Sequence, residues 1–141
     1  MLTYFLAEMS LKAIAEGIFT TPDQEFYVQD PRAGSVDVSP LFQELRRQLD
    51  EWVSSVPSFL GWSPEALKGL SSPLGIRVKL MYWFVRFSIF KPLIQRIIHD
   101  PNSLFPIHGW TLFREGLHAG LNLINVSILE QSDVDVFMGN R

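Results

Sequence analysis

The chain contains no cysteine. That excludes disulfides and thiolate zinc sites, and it leaves a reducing compartment as the default setting. Charge is scarce too, since Asp, Glu, Lys and Arg make up 19% of the 141 residues, against about 25% in a typical soluble domain. The net charge of −3 supplies no long-range attraction for nucleic acid or an anionic membrane. Long apolar runs are also missing. The longest, Leu80 to Phe90, is broken by Arg86 and flanked by Lys79, Lys91 and Arg96, well short of the about 20 residues that span a bilayer. The start, MLTYFLAEMSLK, has no basic region before an apolar core and does not read as a secretory signal. The glycines are scattered, so no phosphate-cradling loop and no Gly-x-Ser-x-Gly nucleophile turn can be drawn. There is no internal repeat and no low-complexity tract.

What the chain does have is apolar and aromatic mass: 47% hydrophobic residues, with four Trp and eleven Phe. This is more than a lone domain of this size usually hides, so part of the surface is expected to face a partner. The mass is concentrated between Ile76 and Ile98. At helical spacing this segment has one stripe of Ile76, Leu80, Trp83, Phe87, Phe90, Ile94 and Ile97, and a second of Val78, Tyr82, Val85, Ile89 and Leu93. Arg77, Ser88, Lys91 and Gln95 separate the stripes on one side, Lys79 and Arg86 on the other. A helix apolar on two faces must be covered on two faces, so 76–98 is predicted to be the buried central helix of an irregular all-α array. Pro92 removes a backbone donor and predicts a bend or a split.

About four main helices are expected. Residues 2–19 again form a two-sided helix, with Tyr4, Ala7, Leu11, Ile14 and Ile18 on one face and Leu2, Phe5, Leu6, Met9 and Ala13 on the other. Its start has no polar cap, which suggests an element that was once longer. Residues 20–38 read as a connecting loop, in which Glu25 to Val28 could supply only a short extended piece. Ser39-Pro40 then opens a one-sided helix, with serine as cap and proline at the first helical position. Leu41, Phe42, Leu45, Leu49, Trp52, Val53 and Val56 form its apolar face, and it stops at Pro57. Residues 57–75 form a second connecting loop, with one helical turn at Pro64 to Leu70. After a loop at Leu104 to Gly109, a last helix runs from about Trp110 to Leu129. Its inner side is read as Leu112, Phe113, Gly116, Leu117, Gly120, Leu121, Ile124 and Ile128, with Gly116 and Gly120 allowing close approach of a neighbour. Residues 130–141 read as a flexible polar tail.

Reactive groups are few. Glu115 and His118 match the Glu-x-x-His half of a di-metal helix-bundle site, but no second Glu-x-x-His follows, so a surface ion pair or hydrogen bond is the simpler reading, and no metal and no cofactor are assigned. The three histidines lack the spacing of paired ligands on one helix face, and Asn125-Val126-Ser127 falls within a predicted helix. Arg86 and Lys79 are cations on a helix that otherwise demands burial, so each should meet an acid, a helix carboxyl end or a bound anion. Tyr82, Trp83, Arg86 and Phe87 are the candidate ligand or interaction pocket, and no catalytic residue is assigned.

Three segments, YFLAEMSLKAI at 4–14, LFQELRRQLDEWVSSVPSFLGW at 41–62 and KLMYWFVRFSIFKPLI at 79–94, together resemble the fungal-specific transcription factor domain. This is the helical middle homology region of fungal regulators that carry a six-cysteine, two-zinc DNA-binding cluster. Trp52, the Val56-Pro57 turn, Trp62 and Lys91-Pro92-Leu93 match its pattern, with lysine where arginine is usual. The resemblance covers roughly 4–129 and implies a nuclear regulator acting through protein partners or sensing of a small-molecule effector. Without cysteine, the family's zinc and direct nucleic-acid contact do not carry over, nor is a membrane implied. The chain is therefore expected to be a single helical, carboxyl-terminal part of a larger regulatory domain, 1–141, and not an enzyme. Two other readings remain: a small helical ligand-binding protein or enzyme with its pocket at Trp83 and Arg86, and a truncated fragment without function.

Overall fold

A computed structural model describes residues 2–30, 35–55, 73–100 and 107–137. The array is all-α: α1 spans Leu2–Phe19, α2 Pro40–Ser55, α3 Pro73–His99 and α4 Ile107–Phe137. The expected second loop, its helical turn at 64–70 and Trp62 fall largely or wholly outside the described residues. So do residues 104–106 of the 104–109 loop, whose remaining residues open α4, and residues 138–141.

α3 is central, as its two stripes predict. It packs on α4 along one face and on α1 and α2 along the other. Val78, Tyr82, Val85, Ile89 and Leu93 are all buried, as are Ile76, Trp83, Phe90 and Ile94. The split allowed for at Pro92 does not occur. The proline is buried, and the helix runs through it to His99, held by packing on both faces. Among the described residues no helix is long and apolar enough to cross a membrane.

In the 20–38 connection, the described residues 20–30 and 35–38 are more ordered than a loop. Thr20 and Thr21 hydroxyls donate to the carbonyls of Glu16 and Gly17 at 2.8 and 2.6 Å, closing α1. A 3-10 turn at Asp23–Glu25 follows. Then β1, Tyr27–Asp30, pairs antiparallel with β2, Ser35–Val38, in the register Tyr27 to Val38 through Asp30 to Ser35. Val36 and Val38 alternate inward around the half-buried Asp37, the two-residue period that a strand requires. The hairpin leads straight into α2. Ser39 Oγ accepts from the Phe42 amide at 3.2 Å and donates to the Glu25 carbonyl at 2.6 Å, so the predicted cap also fastens the helix to the preceding turn.

α2 buries Phe42, Leu45, Leu49 and Trp52. The Trp52 indole donates to the Ala7 carbonyl and to Ser10 Oγ, both at 3.0 Å, which joins α2 to α1. A second tie joins α1 to α3: Glu8, almost fully enclosed, meets the exposed Arg77 at 2.9 Å.

α4 departs from its reading in two ways. It begins at Ile107 and continues to Phe137, so residues 130–137, expected to be tail, are helical. Its inner face is also turned. Leu112, Gly116, Ala119 and Val126 are buried, with Leu123 half-buried beside them, whereas Leu117, Leu121, Ile124 and Ile128 are exposed. Small residues win the inner face because they let α4 come close. A Cβ on Gly116 would sit 2.9 Å from Phe90 Cβ, and one on Gly120 would sit 3.2 Å from Phe87 Cε1. The close approach expected at these glycines is therefore real, but it turns the larger side chains outward.

Candidate functional site

Three helices converge on Arg86. Tyr82 and Arg86 stand four apart on α3, Arg46 and Asp50 four apart on α2, and Glu115 and His118 three apart on α4, each pair sharing a face. The Arg86 guanidinium donates through Nη2 to Glu115 Oε1 at 2.6 Å, and through Nη1 to Asp50 Oδ1 at 3.1 Å and the Tyr82 hydroxyl at 3.2 Å. Arg46 reaches the same carboxylate from the other side, with Nη2 2.7 Å from Glu115 Oε2. Two guanidiniums and two carboxylates thus cancel. The Arg86 side chain is 11% exposed and that of Glu115 21%, while Arg46 and Asp50 open toward water. Burial works against the charge on Arg86, but Tyr82, Glu115 and Asp50 outweigh it and hold the guanidinium above its ordinary pKa. The expectation that Arg86 meets an acid is met twice. Lys79 is also fully buried and engaged.

Beside this network lies a cleft of about 310 Å³, lined by Asp50, Val53, Tyr82, Trp83, Arg86, Glu115 and His118. Its wall is an aromatic ladder. Trp52 stacks on Tyr82 at 5.6 Å and 17°, Tyr82 meets Trp83 edge-on at 5.0 Å, and Trp83 meets the His118 ring at 5.8 Å. Tyr82, Trp83 and Arg86 therefore come together as anticipated, and Phe87 does not join them. Phe87 lies on the groove between α3 and α4, about 500 Å³ in volume, with Leu117, Gly120, Leu121, Leu123 and Ile124.

Asp50, Arg46 and His118 were not among the sequence-derived site residues. Asp50 and Arg46 lie outside the apolar face of α2, at its edge, where side chains can reach inward. Glu115 and His118, read as half of a metal site or more simply as a surface ion pair or hydrogen bond, take the simpler part: the Glu115 carboxylate is taken up by two arginines. Among the described residues no three His, Asp or Glu side chains gather as metal ligands would.

Comparison with known proteins finds no relative. No family model, no curated protein and no solved structure matches this chain.

Exposed apolar side chains lie on three helices outside the cleft. Phe5, Leu6 and Met9 are exposed on α1, Phe84 and Ile98 on α3, and Trp110, Leu117, Leu121, Ile124 and Ile128 on α4. On α1 this is the second apolar face anticipated for that helix, here left uncovered by any described residue. Patches of this extent on a soluble protein mark surfaces that meet other molecules.

Proposed function

We propose that this chain is a helical regulatory segment that works through protein contacts, of the kind carried by fungal zinc-cluster transcription regulators, and that it acts in the nucleus without touching DNA itself. The observation that carries this reading is the pair of uncovered apolar helix faces on α1 and α4. Such faces take on protein partners, while a net charge of −3 gives nothing to hold a phosphate backbone. The three segments similar to the fungal regulatory domain supply the transcriptional setting. No catalytic role is assigned, because Arg86 and Glu115 are committed to each other.

The test joins the chain to an unrelated DNA-binding domain beside a reporter gene. Reporter output should change on fusion and return toward baseline with Leu121→Glu or Phe5→Glu. An unresponsive reporter, or sequence-specific duplex binding by the chain alone, defeats the reading.

The cleft at Trp83 favours a second reading, binding of a small effector, since aromatic walls with a few convergent polar groups are how such sites are built. Native mass spectrometry of the purified protein should then show a retained small molecule that is lost in His118→Ala, a change at the exposed rim. Retention that ignores His118 removes this reading.

A further inference from the structure

The outer face of α4 has an order of its own. Trp110, Leu117 and Ile124 recur every seven residues, with Leu121 and Ile128 interleaved at the same interval, so the last four of these follow the four-three-four spacing of a coiled-coil seam. On a wheel of about 100° per residue all five fall within about 60° of one another. They are 45–61% exposed. α4 packs principally on α3, through the opposite arc, so among the described residues nothing covers this seam.

We propose that the seam is a self-association surface, in which α4 of one protomer lies antiparallel along α4 of its partner about a twofold axis passing between Leu121 and Ile124. This deepens the protein-contact reading above and rests on it. Three observations select a second copy. The seam is self-complementary: antiparallel pairing about that axis sets Leu121 beside the partner's Ile124 and Leu117 beside the partner's Ile128, and the apolar groove at Gly120 between α3 and α4 gives the partner's side chains a recess to enter.

Charge selects the direction. The first half of α4 carries Arg114 on the seam's edge. A parallel pair would set Arg114 against Arg114 and align the two helix dipoles, whereas the antiparallel pair separates the two arginines and opposes the dipoles.

Area is the third observation. With about 100 Å² for a full aliphatic side chain and about 200 Å² for tryptophan, the five residues offer on the order of 400 Å² of apolar surface per protomer. Arg114 and Asn125 flank the seam, and a face of this size lies below the about 600–1,000 Å² per partner of standard specific pairs, in the class of weak, transient ones. The pair is therefore a weak and reversible one.

Sedimentation of the whole chain over a wide concentration range tests this. The mass should rise from one chain to two with concentration, and Leu121→Glu should hold it at one chain without changing helical content or thermal midpoint, because the position is exposed. The absence of cysteine permits a direct check of direction. A mixture of Leu117→Cys and Ile128→Cys chains should oxidise preferentially to the mixed disulfide, and each alone should cross-link poorly. A wild-type chain that stays monomeric, a Leu121→Glu chain that still pairs, or cross-linking of like with like overturns the proposal. The two readings fail separately. A monomer that still drives the reporter defeats only the pairing, and an intact dimer with a silent reporter defeats only the regulatory role.

Discussion

At the residue scale, two glycines make opposite demands. Gly17 lies inside α1, where a Cβ would meet nothing within 4 Å, so Gly17→Ala only removes backbone freedom from the unfolded chain. It should stabilise the fold by about 0.5–1 kcal/mol. Gly116→Ala gains the same helix propensity but puts a methyl 2.9 Å from Phe90 Cβ, an atom at the root of its side chain that cannot swing aside. Overpacking of this kind costs about 1–3 kcal/mol, so the net change should be destabilising by roughly 1 kcal/mol or more once the gain is offset. Equilibrium denaturant unfolding of the two variants checks the difference in sign. Glu44 makes a residue-scale prediction about acid. Hydrogen bonds from Arg47 first, and then from Gln48, lower its pKa from 4.5 to about 2. A depressed folded-state pKa contributes stability above the unfolded value, and that contribution is lost as pH falls from about 4.5 through about 2. Because the pair is exposed, salt screens it. Carbon-detected NMR titration should find Glu44 ionised well below the ordinary glutamate range, and the midpoint should rise with added salt.

At the scale of elements, the Arg86 network decides how α2, α3 and α4 meet. Glu115→Ala strips Arg86 of its shortest contact and leaves an enclosed guanidinium with Asp50 and Tyr82 alone, so unfolding free energy should fall by about 2–4 kcal/mol. Replacing both charges, as in Arg86→Met with Glu115→Leu, leaves Arg46 and Asp50 free to turn toward water, and the loss should be clearly less than the sum of the single changes. A double-mutant cycle measures this coupling. The elements also show what could be read in advance. α1, α2 and α3 were legible because each carries a long apolar period, and the Ser39-Pro40 start was legible because capping is local chemistry. The hairpin at 27–38 was not, since only Val36 and Val38 alternate inward and a two-residue signal is easily taken for loop. The inner face of α4 differs from its apolar pattern because fit decides over bulk: Leu117, Leu121, Ile124 and Ile128 outweigh Gly116 and Ala119 in hydrophobicity, yet only small residues admit Phe87 and Phe90 of α3. For the site, Tyr82, Trp83 and Arg86 were found because a cation on a doubly buried helix needs partners. Those partners come from two other helices, and a one-dimensional pattern does not say which residues of separate helices face each other.

At the scale of the whole molecule, the placement of α3 sets the order in which the fold opens. Its middle, from Tyr82 to Leu93, touches α1, α2 and α4, so its amides can be reached only when all three have been displaced. α1 has an outer face bearing Phe5, Leu6 and Met9 and is tied inward by the Trp52 indole and the Glu8–Arg77 pair. Its first turns lie ahead of those ties and can open alone. The hairpin has two strands of four residues and one partner apiece, and two-stranded pairs are marginal without support; here support comes from Val36, Val38 and the Ser39 contacts to Glu25 and Phe26. Hydrogen exchange followed by mass spectrometry should therefore show slowest exchange in peptides from the middle of α3, with rates tracking global unfolding. Exchange should be intermediate in α2 and the Gly116 to Val126 part of α4, and fastest in the start of α1 and in β1. Trp52→Phe deletes the indole bonds to α1 and should accelerate α1 selectively while leaving the α3 middle tied to global stability. If α1 and α3 instead exchange together, the helices open as one unit, and α3 is an equal member of the array with no special hold on its core.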